Sequence, residues 1–325
     1  MKKILRIAAT ATILFIMACL IIFPDRYISV ARQGITLWAT AVVPSLFPFF
    51  FLTLILTKLG TLEIFTKKTE RLTEGLFRCN GMTTYVFLMS ILSGYPVGSR
   101  LISELSERGC IDCDEATRMS VLCSTSGPLF IMGTVGVGMF GNKVYGAAIF
   151  ASHVMSAVIC GLIFRKYGNF CKKMQLLPVR QNADNVLYEC IYSSVISILC
   201  VGGFICIFYL LASILADFKI LFPLTSLLEK IFAKTGYGDV ISEGIAYGLI
   251  ECTNGCKILS SVSTPLAAAI ACGIISFGGL SVMFQSAIYL LKAKSNLKIF
   301  FFSKILQSLI SAALCFIILN FGNIF

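Results

Sequence analysis

Long uncharged runs alternate with short charged stretches from one end of the chain to the other, and no run shows the period-two alternation of a half-buried strand. Seven of the apolar runs, 7–23, 35–57, 120–140, 144–164, 190–215, 265–290 and 305–319, match or approach the roughly 17 to 25 residues a helix needs to cross a bilayer. Pro44 and Pro48 lie inside the second run, where each removes a backbone donor, so a kinked helix with rescued carbonyls is expected there. Residues 58–78 mix Lys67, Lys68 and Arg71 with glutamates and read as an amphipathic connector, as does 220–231 within a mixed-charge stretch.

Two apolar segments are too short or too broken to span. Residues 82–96 run into Gly98 and Arg100, and 245–261 contains Glu251, Asn254, Gly255 and Lys257. Charge in the connectors decides their topology. The 58–78 and 165–180 stretches are both basic and therefore face the cytoplasm, which demands an even number of crossings between them. The runs at 120–140 and 144–164 supply two, so 82–105 enters and returns on one side as a re-entrant hairpin, with its bend at Gly94, Pro96 and Gly98. The same order then recurs in opposite orientation. The expected fold is an all-α polytopic membrane protein. It has an N-terminal transmembrane helix and external loop (1–34) and a first repeat (35–164), then a basic cytoplasmic connector (165–189). A second, inverted repeat (190–325) follows, with its hairpin near 245–261.

Composition supports the bilayer. The 325 residues are 57% hydrophobic and 13% charged, against roughly a quarter charged in soluble domains. The net charge of +11 is spread through the connectors in short clusters that the positive-inside bias explains, so no nucleic-acid partner is expected. Most of the fourteen cysteines sit singly in apolar runs as small hydrophobes. Cys110 and Cys113 form one Cys-x-x-Cys without a second pair, which is a poor metal site. Gly136 to Gly141 matches Gly-x-Gly-x-x-Gly, but no strand precedes it, and neither a cofactor nor a bound metal is expected. With no nucleophile and base pair in view, enzymatic chemistry has no site.

Candidate binding residues lie where polar groups interrupt apolar runs. Ser93, Gly94, Tyr95, Pro96, Gly98, Ser99 and Arg100 form one set, and Ser124, Thr125, Ser126 and Gly127 before Pro128 a second. Glu251, Asn254 and Lys257 form the third, with Gly255-Cys256-Lys257 echoing Gly98-Ser99-Arg100. Intramembrane cations at matching positions of two half-sites suit an anionic solute, and an intramembrane carboxylate suits a coupling ion, proton or sodium. Glu104, one turn after Arg100, offers an internal ion pair instead, and His153, the only histidine, has no partner visible in the sequence. Lys292, Lys294, Lys298 and Lys304 together read as a cytoplasmic basic stretch.

The motifs Ser-Gly-Tyr-Pro-Val-Gly-Ser-Arg at 93–100, Ser-Thr-Ser-Gly-Pro-Leu-Phe-Ile-Met-Gly-Thr-Val-Gly-Val-Gly at 124–138 and Glu-Cys-Thr-Asn-Gly-Cys-Lys at 251–257 resemble the sporulation membrane proteins of the nucleoside-recognition Gate family. The resemblance covers nearly the whole chain. It implies a carrier that moves dipicolinic acid, a small aromatic dicarboxylate, from the mother cell across the outer forespore membrane. A nucleoside or other small-solute carrier is the alternative within the family, and a non-transporting scaffold for spore assembly a third reading. Single cysteines at Lys68, Lys172 and Lys294 in a cysteine-free background should all resist an impermeant thiol reagent in intact cells. Labelling of any one of them would break the expected topology.

Overall fold

The computed structural model describes residues 2–169 and 185–321. Within them the protein is all-helical. Helix α1, Lys2–Ile22, is separated by Phe23 alone from Pro24, which occupies the first turn of α2, Pro24–Leu37. Residues 24–34, expected as an external loop, are therefore helical. Pro24 fits the first turn, where its missing donor costs nothing, and Asp25 favours the positive helix start. The chain continues through a π-helical segment, Trp38–Val42, into α3, Val43–Lys58. Wider turns just before Pro44 accommodate the missing N–H, and the Ala41 carbonyl is taken up by the hydroxyls of Ser45 at 2.9 Å and Thr134 at 3.2 Å.

Helix α4, Thr61–Phe77, is the expected amphipathic connector. Then α5, Met82–Ser93, and α6, Val97–Glu107, pack side by side around a turn at residues 94–96. Helix α7, Cys113–Leu122, is capped by Asp112, whose carboxylate accepts from the Glu115 N–H at 2.7 Å. The expected span at 120–140 is not one helix: it breaks at 123–128 and resumes as a second π-helical segment, Leu129–Met139. Asn142 caps α8, Lys143–Ile163. Of the basic connector, residues 170–184, with Lys172, Lys173 and Arg180, lie outside the described residues.

The second part begins with α9, Val186–Asp217, and α10, Phe222–Phe232, the latter without one buried residue. Helices α11, Gly238–Ile250, and α12, Cys252–Leu259, reverse at Glu251. Next comes α13, Pro265–Phe277, which gives way at Gly278 to α14, Gly279–Lys292. Helix α15, Leu297–Phe321, closes the described chain.

Among the described residues, five helical stretches are long and apolar enough to cross a membrane: Pro24–Lys58, Lys143–Lys166, Val186–Asp217, Pro265–Lys292 and Leu297–Phe321. Of the other two expected spans, 7–23 falls almost wholly within α1, and 120–140 keeps only the shorter apolar helix Leu129–Met139. In its apolar 18-residue window the α13–α14 stretch has 78% of its residues buried against 28% for Leu297–Phe321, so it forms the centre while the outer helices keep exposed apolar faces suited to lipid. The long helix through α2 and α3 runs antiparallel to α9. Arg26 pairs with Asp217 at one end, Lys58 with Glu189 at 2.8 Å at the other, and the Trp38 indole donates to the Ile198 carbonyl between them.

Backbone contact, rather than side-chain packing, joins the turns to the breaks. Gly94, with φ +82°, lies where a Cβ would come 2.7 Å from the Gly127 nitrogen. Gly98 is not at the bend, as its sequence suggested. It sits in the first turn of α6, where a Cβ would fall 1.7 Å from the Cys123 carbonyl oxygen. Gly98→Ala is therefore expected to lower the thermal unfolding midpoint of the detergent-purified protein sharply, since overpacking costs about 1 to 3 kcal/mol and here the obstacle is backbone. Gly203→Ala, which meets nothing within 4 Å, should leave the midpoint unchanged or raise it. Equal behaviour of the two variants would remove the close approach.

Candidate functional site

Where helices stop inside a membrane, their end carbonyls and amides need partners from the protein. Here the two breaks and the α5–α6 turn supply one another. Ser90 and Thr125 share a hydroxyl contact at 2.8 Å, and the Ser90 hydroxyl accepts from the Thr125 N–H at 3.1 Å. Ser93 donates toward Thr53 at 3.1 Å, tying the turn to α3, and Ser99 meets Ser124 at 3.4 Å. All of these hydroxyls are buried.

His153 acquires the partners the sequence did not reveal. Its Nε2 accepts from the Ser126 N–H at 2.9 Å in the first break, and its Nδ1 lies 2.7 Å from the Ser276 hydroxyl, two residues before the second. A neutral ring whose Nε2 accepts carries its proton on Nδ1, so His153 donates to Ser276 and bridges the two breaks. Tyr95 makes a parallel link, its hydroxyl donating to the Ser276 carbonyl at 3.4 Å.

Lys304 is at the centre of this network. It does not belong to the basic stretch in which its sequence position placed it. It stands two turns into α15, 1% exposed, and donates to the Tyr95 hydroxyl at 3.1 Å, to Gln307 Oε1 at 2.8 Å and to the Ser124 carbonyl. The signal was present but read as loop: Ser303, Lys304, Gln307 and Ser311 form one polar stripe at helical spacing along an apolar helix, and all four are buried.

Glu251 is 1% exposed and caps α12, its Oε2 accepting from the Asn254 N–H at 2.7 Å. The Glu251 and Asn254 pair seen in the sequence is thus made through the backbone of Asn254. Glu251 also lines a central cavity of about 40 Å³ together with Tyr95, Ser126, Thr253 and Gln285. The three motifs therefore meet here, through Tyr95 from the first, Ser126 from the second and Glu251, Cys252 and Thr253 from the third.

A larger cavity of about 230 Å³ lies beside the central one, between α3, α6, α9 and α14. Thr53, Thr57, Arg100, Ser197, Tyr289 and Lys292 supply its polar groups, and Val201 and Gln285 line both cavities. Arg100 is held in place by Glu104 at 3.0 Å and by Ser197 and Ser193 on α9 at 3.0 and 3.4 Å. The structure does not bring Lys257 to Arg100. Lys257 is exposed on α12 and borders a separate cavity with Arg32, Gln33 and Thr36. Lys292, which the sequence assigned to a basic connector, is the second cation of the Arg100 cavity.

No family model matches this chain, and no solved structure matches it. Among curated proteins, the sporulation integral membrane protein YlbJ of Bacillus subtilis (strain 168) is 27% identical over 335 aligned residues, which take in 96% of this chain and 82% of the relative. A multi-pass helical protein with apolar spans, this chain is similar over nearly its whole length to a sporulation integral membrane protein.

Proposed function

We propose that the protein is a membrane transporter of a small carboxylate anion, with dipicolinic acid, moved from the mother cell across the outer forespore membrane, as the first candidate. The observation that carries a transport reading is the convergence of two helix-to-helix turns and two broken helices on one buried polar centre. Discontinuous helices of this kind surround the solute in carriers built from inverted repeats. In this reading α3 to α8 and α9 to α15 are the two halves. Helices α4 and α10 lie at opposite interfaces, and the α5–α6 and α11–α12 pairs are re-entrant hairpins. The stretch from α7 to Met139 and the α13–α14 stretch are the broken helices. The glycine contacts repeat as well: Gly94 abuts Gly127 in the first half, and Gly279 abuts the Gly248 carbonyl and the Cys252 nitrogen in the second.

Charge favours an anion in the outer cavity, where Arg100 and Lys292 line the wall with two hydroxyl-bearing threonines. The anion would enter there and pass Val201 and Gln285 to reach the centre, which must widen to receive it. Glu251, at the centre, is placed to carry a coupling proton, because a carboxylate beside a dianion is tolerated only when protonated. The name of the relative supports a role in spore formation, and the Gate-family resemblance directs the choice to dipicolinic acid. A nucleoside carrier is the second reading. It is favoured by the central cavity itself, which has an acid and several neutral hydrogen-bonding groups but no lysine or arginine in its wall.

Uptake of labelled dipicolinate and of labelled nucleosides into vesicles containing only this protein separates these readings. Saturable dipicolinate uptake is expected, weakened roughly ten- to hundredfold in affinity by Arg100→Gln or Lys292→Gln, as befits loss of a hydrogen bond to a charged group worth about 1.5 to 3 kcal/mol. Lys257→Gln should remain close to wild type at matched protein levels. Nucleoside uptake without dipicolinate uptake would establish the second reading, and uptake of neither would return the protein to a scaffold role.

A further inference from the structure

An ammonium group has three N–H donors and no acceptor, and those of Lys304 are matched by three oxygens: the Tyr95 hydroxyl, Gln307 Oε1 and the Ser124 carbonyl. The rings of Tyr95 and Phe300 flank the charge, with centroids at 5.1 and 5.9 Å. Every one of these neighbours is neutral. The acids of the ion pairs Arg26 with Asp217, Lys58 with Glu189 and Arg100 with Glu104 are engaged elsewhere, and no carboxylate is among the hydrogen-bond partners of Lys304. The ammonium lines neither of the two cavities that meet at Gln285, and Tyr95 stands between it and the central one. With its donors taken and no open face, it is not placed to bind a solute.

Its ligands have another meaning. A carbonyl from an unwound stretch of helix, a hydroxyl and an amide oxygen are hard, neutral oxygen donors of the type that hold an alkali cation at a helix break. The Ser124 carbonyl follows the end of α7, where the helix dipole is negative and attracts positive charge. We propose that the Lys304 ammonium is a tethered cation occupying a monovalent-cation position at the 123–128 break. The protein thereby joins the α5–α6 turn, the break and α15 without binding a sodium ion at that place. The consequence for coupling rests on the transporter reading above, but the assignment of the site does not.

The test needs no solute. The full chain, purified in detergent, is melted in sodium, potassium and choline chloride at equal ionic strength, as wild type, Lys304→Ala and Lys304→Met. The wild-type midpoint should be the same in all three salts. Lys304→Ala, which vacates the position and leaves its oxygens, should melt several degrees higher in sodium or potassium than in choline, or fold only in the former. Lys304→Met, whose side chain fills the space, should be destabilised and indifferent to the salt. A wild-type midpoint raised by sodium over choline would overturn the proposal, and so would a folded Lys304→Ala that ignores the cation. If neither Lys304→Ala nor the more polar Lys304→Ser folds in any of the salts, a free cation has failed to replace the ammonium, and the proposal falls equally. Absence of uptake in vesicles would overturn the transport reading and leave these midpoints as they are.

Discussion

A helix that breaks inside a membrane exposes backbone amides and carbonyls where no water can reach them, and the cost of leaving them unpaired is several kcal/mol each. The centre of this protein is organised by that constraint. The 123–128 break is satisfied from three directions: the Ser90 hydroxyl of α5 accepts from it on one side, His153 of α8 accepts from it, and Lys304 of α15 donates to it. The turn between α5 and α6 and the first turn of α6 approach it so closely that only glycines fit at 94 and 98. None of these partners is near the break in sequence, so the break exists only because the tertiary fold completes it.

In the transporter reading proposed above, the same requirement suits a carrier's task. Elements whose polar groups are satisfied by one another, through single hydroxyl or imidazole contacts, can exchange partners at modest cost, because each bond contributes about 0.5 to 1.5 kcal/mol net. Continuous helices offer no such exchange. The outer frame behaves differently: α2, α3 and α9 run side by side through apolar contact, with ion pairs at the two ends whose exposure limits each to about 0 to 1 kcal/mol. Charge is likewise divided, with Arg100 and Lys292 in the lining of the outer cavity and the buried acid Glu251 in that of the central one. In the proposed transport of a dianion, the solute would meet Glu251 only after its own charge or that of Glu251 had been compensated.

Much of this architecture was legible in the chain. Apolar run length identified most of the spans, and amphipathic composition identified α4 and α10. Glycine and proline within apolar runs marked the turn at 94–96 and the break at 123–128. These features depend on local rules, the length of a bilayer and the backbone limits of proline and glycine, and so they are written in consecutive residues. The reading failed where a residue's meaning depended on which way its helix turned. Arg100 and Lys257 follow glycines in the same pattern, yet α6 directs the first into the cavity between α3 and α9 while α12 directs the second outward. The segment 24–34 looked like a loop because its polar residues ended an apolar run, but those residues lie along one continuous helix.

Lys304 and His153 show most clearly what the sequence determined and what only the tertiary structure decided. The sequence determined that each would lie on or beside an apolar helix, and it wrote the stripe of Ser303, Lys304, Gln307 and Ser311 along α15. It did not determine that this stripe would face the broken helix, because the partners, Tyr95 and Ser124 for Lys304, Ser126 and Ser276 for His153, come from distant parts of the chain. A buried charge or imidazole is defined by its acceptors and donors, and those are gathered by packing between helices, which has no signature in the order of residues along any one of them.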